Sequence, residues 1–131
     1  MLKDDFFFIT HFSQKESNIL LFEIKLNTDH EIFDGHFPDF PIVPGVFTLQ
    51  MIKELTEYHL NLSMNVISIS KLKFLTPINP NEHINLQVEI NYTFSESEVY
   101  INTASIFSGQ ITFLSLLKLF ININYDRNNR L

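Results

Sequence analysis

The sequence predicts an α+β fold in which one α-helix packs against an antiparallel sheet. Several segments alternate apolar and polar residues, which is typical of strands with one buried face. One further segment repeats apolar residues at helical spacing and contains neither glycine nor proline. The chain has 131 residues, of which 45% are hydrophobic and 18% charged, so we expect one folded domain spanning residues 1–131.

Two strands are predicted at the start of the chain. Residues 6–12 and 19–26 are rich in phenylalanine, isoleucine and leucine, and the polar residues 13–18 between them indicate a loop. In the second run, apolar side chains alternate with Glu23 and Lys25. We therefore expect residues 19–26 to form a strand that buries one face.

A proline-rich loop and a helix follow. Pro38, Pro41 and Pro44 stand at every third position of residues 35–45, which excludes a helix interior and a central strand. Residues 46–59 then contain no glycine or proline, and the period of their apolar residues predicts a helix. The predicted apolar face consists of Phe47, Met51, Leu55 and Tyr58, and the opposite polar face of Gln50, Lys53, Glu54 and Glu57.

The remainder of the chain predicts a meander of long strands. These strands occupy residues 66–75, 84–93, 99–107 and 111–125. Turn-forming residues separate them, most clearly at residues 77–82.

Composition excludes several classes of function. The chain has no cysteine, so it has no disulfide, thiolate nucleophile or cysteine-ligated metal. A net charge of -6 with scattered basic residues argues against nucleic-acid binding. The most apolar later stretch, residues 111–121, contains Lys118 and is too short to span a membrane. Because Asp4 and Asp5 stand where a signal peptide needs positive charge, we expect a cytoplasmic protein.

Two sequence blocks carry a family resemblance. The block GHFPDFPIVPGV at residues 35–46 leads into the predicted helix and resembles the signature of the FabZ/FabA-type 3-hydroxyacyl-acyl-carrier-protein dehydratases. The block KFLTPINP at residues 73–80 is similar to the segment that these enzymes carry after their central helix. The resemblance covers nearly the whole chain. It implies a hotdog fold, in which a curved antiparallel sheet wraps around one helix and two subunits form the active sites at their interface.

The resemblance also implies roles for four residues. Dehydration of a 3-hydroxyacyl thioester needs a base for the proton next to the carbonyl, donors for the enolate oxygen, and a proton for the departing hydroxyl. His36 matches the family's base, and an imidazole with a pKa near ~6.5 suits that task. The N–H groups of Gly45 or Val46 at the start of the helix can hold the thioester oxygen. Phe37 is expected to contact the substrate, and no cofactor or metal is required.

The residue expected to supply the proton to the departing hydroxyl departs from the family pattern. Family members carry Glu or Asp fourteen residues after the histidine, where this chain has Gln50. A glutamine amide can donate a hydrogen bond but cannot supply a proton to the hydroxyl. Glu54 stands one turn later, about 6 Å along the same helix face, and is a candidate catalytic acid acting directly or through a water. The alternative is that Glu54 is an ordinary residue of a solvated polar face.

Three functions remain open from the sequence. The leading one is dehydration of a 3-hydroxyacyl thioester to the trans-2-enoyl thioester in fatty acid or related acyl or polyene biosynthesis. The second is a non-catalytic hotdog subunit that binds acyl thioesters or pairs with an active homologue, as the missing acid at position 50 suggests. The third is a hotdog thioesterase in which Glu54 activates water.

The expected partners follow from the leading function. The substrate would be an acyl thioester bound to acyl carrier protein or coenzyme A, and the protein would be a homodimer or a larger homo-oligomer. Because acyl carrier proteins are acidic, docking one needs a basic patch, for which Lys71, Lys73 and Lys118 are candidates.

A metal site is a weaker possibility. The spacing of His30, Asp34 and His36 could place three ligands on one face of an extended segment. The proline motif already accounts for His36, so no metal site is predicted.

Overall fold

The computed structural model describes residues 1–34, 41–95 and 98–124, with the backbone alone at 117, 118 and 120–124. The described elements are one α-helix, six strands and a short 3-10 helix. In chain order they are β1 (Phe7–Glu16), β2 (Ile19–Leu26), the 3-10 helix (Glu31–Phe33), α1 (Gly45–Leu60), β3 (Ser63–Phe74), β4 (Asn85–Ser95), β5 (Glu98–Ser108) and β6 (Ile111–Asn124).

The six strands form one antiparallel sheet in the order β1-β2-β4-β5-β6-β3. Strands β4, β5 and β6 form the predicted meander, but the expectation that β3 joins it beside β4 is wrong. Instead β3 pairs with β6, from Ser63 opposite Asn124 to Phe74 opposite Leu114. Residues 75–84 connect β3 to β4, and a connection of this length, unlike a two-residue hairpin turn, does not force consecutive strands to pair. The α+β hotdog fold that the sequence predicts is confirmed.

The core lies between α1 and the inner face of the sheet. Met51, Ile52 and Leu55 of α1 are fully buried. They belong to one apolar cluster with inward-facing strand residues such as Phe22 and Val88. Full burial of each such side chain contributes about 1.5–3 kcal/mol, so this helix face fixes α1 on the sheet.

The predicted division of α1 into two faces is wrong at two positions. Tyr58 was expected in the core, but its side chain is 57% exposed, with the ammonium group of Lys3 4.7 Å from its ring centroid. Glu54 was offered as a solvated residue, but it is only 3% exposed. The cause is tertiary, because the N-terminal residues cover this side of the helix and supply partners for the Glu54 carboxylate.

Several element boundaries also differ from the predicted ones. Strand β1 continues to Glu16 through the predicted loop, because Ser17 and Asn18 alone make the turn to β2. The Gln14 side-chain amide closes this turn by donating to the Ser17 carbonyl oxygen at 2.7 Å. Strand β3 begins at Ser63, three residues earlier than expected and two residues after the left-handed Asn61 that caps the end of α1.

Across residues 1–34, 41–95 and 98–124, the structure has no helix with the length and apolar character needed to cross a membrane.

Candidate active site

The first turn of α1 presents two backbone donors with no acceptor in the part of the chain that the structure describes. Pro44 is the N-cap, and the Phe47 N–H donates back to its carbonyl oxygen at 2.9 Å. The Thr48 hydroxyl donates to the Gly45 carbonyl oxygen at 2.6 Å, which fixes this turn. Within the described residues, the N–H groups of Gly45 and Val46 have no acceptor. Free N–H groups at the positive end of a helix can bind a thioester oxygen.

A cavity of about 420 Å³ lies beside this turn. The two sequence blocks that carry the family resemblance meet at this cavity, where the Val43 N–H of the first block donates to the Ile78 carbonyl oxygen of the second at 2.9 Å. Its mainly apolar wall suits a hydrocarbon chain, and its volume lies in the range of small-molecule sites. The lining residues are Ile42, Val43, Gly45, Thr48, Phe74, Leu75, Thr76, Pro77, Ile78, Phe113 and Leu114.

The Phe74 ring lies directly against Gly45. A β-carbon at position 45 would be only 2.9 Å from Cζ of Phe74 and 3.0 Å from Cε1. The ring is nevertheless 60% exposed, so its other side faces open space. Glycine at position 45 therefore allows an aromatic ring to approach the helix start, next to the free donors.

Gln50 and Glu54 meet on one face of α1, as their spacing predicts. The Gln50 Nε2 donates to Oε2 of Glu54 at 2.8 Å. The Leu2 N–H donates to both carboxylate oxygens at 2.9 Å, and the Lys3 N–H donates to Oε1 at 2.8 Å. Each oxygen thus accepts two contacts, which engages both of its lone pairs. Three donors around a nearly buried carboxylate indicate that Glu54 acts here as an acceptor.

The N-terminal segment that reaches Glu54 is folded into a compact turn. The Leu2 carbonyl oxygen accepts the Phe6 N–H at 2.7 Å, and Asp4 adopts a left-handed φ of 68°. This turn points the N–H groups of Leu2 and Lys3 at the helix. No sequence pattern indicates these contacts with Glu54, because the bonded residues are 52 positions apart for Leu2 and 51 positions apart for Lys3.

The structure brings some of the predicted site residues together and separates others. Gly45 lines the cavity, whereas Val46 is 73% exposed and lies outside its lining. Gln50 and Glu54 do not line the cavity either, since Gln50 lies about 140° around the helix axis from Gly45. The predicted base His36 and the predicted substrate contact Phe37 lie outside the described residues.

Of the eleven residues that line the cavity, only Gly45 was predicted as a site residue from the sequence. Thr48 and Phe113 belong to no motif, and only their positions on α1 and β6 bring them to the cavity wall. Phe74 could have been found, because it belongs to the second block of family resemblance.

His30 has local hydrogen-bond partners. Its Nδ1 accepts the Ile32 N–H at 3.1 Å, and its Nε2 lies 3.1 Å from the Asp5 carboxylate. Both ring nitrogens are thus engaged at the start of the 3-10 helix. No group of metal-binding side chains is found among the described residues, to which the third member of the possible triad, His36, does not belong.

Known proteins that are similar to this chain include two FabZ dehydratases. A 3-hydroxyacyl-[acyl-carrier-protein] dehydratase FabZ from Koribacter versatilis is 32% identical over 90 residues, which cover 63% of this chain and 56% of that protein. A FabZ from Oceanobacillus iheyensis is 31% identical over 73 residues, covering 50% of this chain and 52% of that protein. The matched region thus spans about half the length of these relatives.

A solved structure shares the fold. The dehydratase heterocomplex ApeI:P from Xenorhabdus doucetiae superposes with a TM-score of 0.71 at 23% identity, covering 88% of this chain and 96% of the matched one. Identity at this level shows the fold alone. The family model described as ApeI-like, ApeI dehydratase, matches residues 9–109. The chain therefore belongs to the ApeI-like dehydratase family.

Proposed function

We propose that this protein dehydrates a 3-hydroxyacyl thioester to the trans-2-enoyl thioester, as a cytoplasmic enzyme of fatty acid or related acyl biosynthesis. The observation that carries the proposal is the pair of N–H groups at Gly45 and Val46, which have no acceptor among the described residues and stand beside an apolar cavity. Such a site holds a polar carbonyl at one end and a hydrocarbon chain at the other. Membership of the dehydratase family supports the same reaction.

The residues divide the reaction as follows. His36 takes the proton from the carbon next to the carbonyl, and the N–H groups of Gly45 and Val46 stabilise the developing enolate oxygen. The bond from the third carbon to the hydroxyl breaks as the double bond forms. Gln50 lies outside the cavity of its own chain, so it would contact this hydroxyl from the second subunit of the expected dimer, and it has no proton to give. The imidazolium formed at His36 therefore returns its proton to the departing hydroxyl, which leaves as water.

An exposed sheet edge supports assembly with a second hotdog chain. Strand β3 ends the sheet, runs for 12 residues and exposes apolar side chains at Val66 and Ile67. Because a long unpaired edge offers backbone donors and acceptors to another strand, we propose that β3 pairs with a second copy of this chain.

A basic patch supports docking of an acidic carrier protein. In the part of the chain that the structure describes, Lys71 and Lys73 have no ion-pair partner, although the whole chain carries a net charge of -6. Both side chains line a surface cleft of about 210 Å³. Two unneutralised lysines on an acidic protein favour an acidic partner. The side chain of Lys118, the third candidate, is not among those described.

A second candidate function follows from the Gln50–Glu54 pair. Glu54 is nearly buried and its oxygens are occupied, so neither residue of the pair offers a free proton to a substrate. A chain with this pair could act as the subunit of a mixed assembly in which a homologue supplies the acid. The ApeI:P structure, a heterocomplex by its own description, shares this fold.

One assay separates these functions. Purified protein is incubated with a 3-hydroxyacyl thioester of pantetheine, coenzyme A or acyl carrier protein, and the products are identified by mass spectrometry. The proposal predicts the trans-2-enoyl thioester. No turnover by this chain alone supports the subunit, and release of free thiol supports the thioesterase.

A further inference from the structure

We infer that Glu54 is a positioning residue, which fixes the Gln50 side chain so that its carbonyl oxygen, and not its NH2 group, faces the substrate hydroxyl. This inference rests on the proposed function and assigns a role to each member of the pair. It departs from the sequence-based expectation that Glu54 supplies a proton and that Gln50 donates to the hydroxyl.

The first step is the orientation of the amide. An ionised carboxylate has only acceptor positions, so a glutamine beside it must present its NH2 group. The observed contact has this polarity, with Gln50 Nε2 2.8 Å from Oε2 of Glu54. The opposite orientation would set two oxygens against each other. Glu54 thereby selects one of the two ends of the amide.

The second step is that Glu54 is itself held firmly. The N–H groups of Leu2 and Lys3 grip its carboxylate at 2.8–2.9 Å, and the residue is 3% exposed. Charge-assisted hydrogen bonds of this kind are about twice as strong as neutral ones. The carboxylate is therefore a fixed point to which the half-buried Gln50 side chain is tied.

The third step concerns what the free end of Gln50 can do. Within the described residues, Oε1 of Gln50 has no donor, so it is the end available to a ligand. A hydroxyl that donates to this oxygen keeps its own lone pairs open to receive a proton. Gln50 would then orient the leaving group for protonation, while an amide presenting NH2 would occupy one of the two lone pairs that can receive the proton.

The helix offers a matched control for this role. Like Glu54, Glu57 accepts hydrogen bonds from both backbone and side chain: the Met64 N–H donates to it at 2.9 Å and the Lys53 ammonium group at 3.1 Å. It makes no contact with Gln50 among those found in the structure. Glu57→Gln therefore imposes a comparable local loss of hydrogen bonding on α1 without releasing the Gln50 amide.

The decisive experiment is a double-mutant cycle with Glu54→Gln and Gln50→Ala in the full chain, measured as kcat and KM with a 3-hydroxyacyl thioester. We expect each single variant to lower kcat by up to ~10²-fold with KM little changed, the scale of a misplaced reacting group. The double variant should be no slower than Gln50→Ala alone, because both act through one side chain. Glu57→Gln should leave kcat unchanged.

Two outcomes overturn the inference. If the double variant turns over more slowly than Gln50→Ala alone, Glu54 acts on the substrate independently of Gln50. If Glu57→Gln lowers kcat as much as Glu54→Gln, the effect is merely structural.

A second measurement does not depend on turnover. The side-chain NH2 signal of Gln50 in an NMR spectrum should be shifted and slowly exchanging, and should lose both properties in Glu54→Gln but not in Glu57→Gln. An unchanged signal in Glu54→Gln refutes the positioning contact. A wild-type protein that shows this signal but no turnover would instead refute the proposed function.

Discussion

A single methyl group at position 45 tests whether the cavity beside α1 binds substrate. In Gly45→Ala, the new carbon would lie 2.9–3.0 Å from two atoms of the Phe74 ring. Carbon atoms in ordinary contact lie ~3.5–4.0 Å apart, so the ring must move by roughly 0.5–1 Å. It can do so, because it is the end of a flexible side chain and is 60% exposed.

The expected change in stability is small. Gly45 is helical and has no positive φ, so alanine fits its backbone and gains about 0.4–1 kcal/mol from the unfolded state. Moving the ring off its preferred rotamer costs about 0.5–1.5 kcal/mol. The two terms nearly cancel, and Tm should change by only a few degrees.

Turnover should fall much further than stability. The displaced ring borders the N–H groups proposed to hold the thioester oxygen, and a shift near 1 Å in a reacting group can cost about 10²-fold in rate. We therefore expect kcat/KM to drop roughly 10–100-fold at almost unchanged Tm. Adding Phe74→Leu should restore part of the activity, because the crowded ring atoms are gone.

Gly109→Ala is a control that should lower stability without changing activity. Gly109 has a φ of +58° with nothing within 4 Å of a built β-carbon, so alanine there costs about 1–2 kcal/mol of stability without touching the cavity. Its kcat/KM should match wild type. Unchanged kinetics of Gly45→Ala with thioesters of every chain length would refute the cavity as the acyl site.

Three further predictions concern docking, pH and assembly. The double variant Lys71→Glu, Lys73→Glu should raise KM for a carrier-bound substrate, most strongly at low salt, but should leave KM for a pantetheine thioester unchanged. The control Lys25→Glu, on the distant strand β2, should change neither KM. Burial lowers the pKa of His59 below its ordinary 6.5, so the unfolded state binds its proton more readily. Stability should therefore fall as pH drops through 6.5 toward that lower pKa, and His59→Gln should lose less Tm over that interval. Light scattering at micromolar concentration should give a dimer, and a monomer would contradict pairing through β3.

Local patterns were sufficient to predict most of the fold. Alternation in residues 19–26 gave β2 with its boundaries, and the stretch without glycine or proline gave α1 within one residue at each end. The patterns failed where contacts between residues far apart in the sequence determine the structure. Tyr58 has the spacing of a core residue, but only the tertiary structure sets it beside Lys3 at the surface. The pairing of β3 with β6 likewise has no local signal.

The site was predictable where motifs carry it. Gly45 was expected at the start of the helix, where the structure puts it at the cavity wall. Spacing also predicted that Gln50 and Glu54 share one helix face, and their 2.8 Å contact confirms this. Spacing could not predict that Leu2 and Lys3 close over Glu54, because that contact depends on where β1 joins the sheet.

The most direct test of the account is the turnover of His36→Ala beside wild type, followed as formation of the trans-2-enoyl thioester. The account predicts that wild type forms this product and that the variant loses at least ~10²-fold in kcat with an unchanged circular dichroism spectrum and Tm, because His36 is the proposed base and stands in a segment that the sequence predicts to be a loop. Wild-type turnover in a folded His36→Ala protein would contradict it.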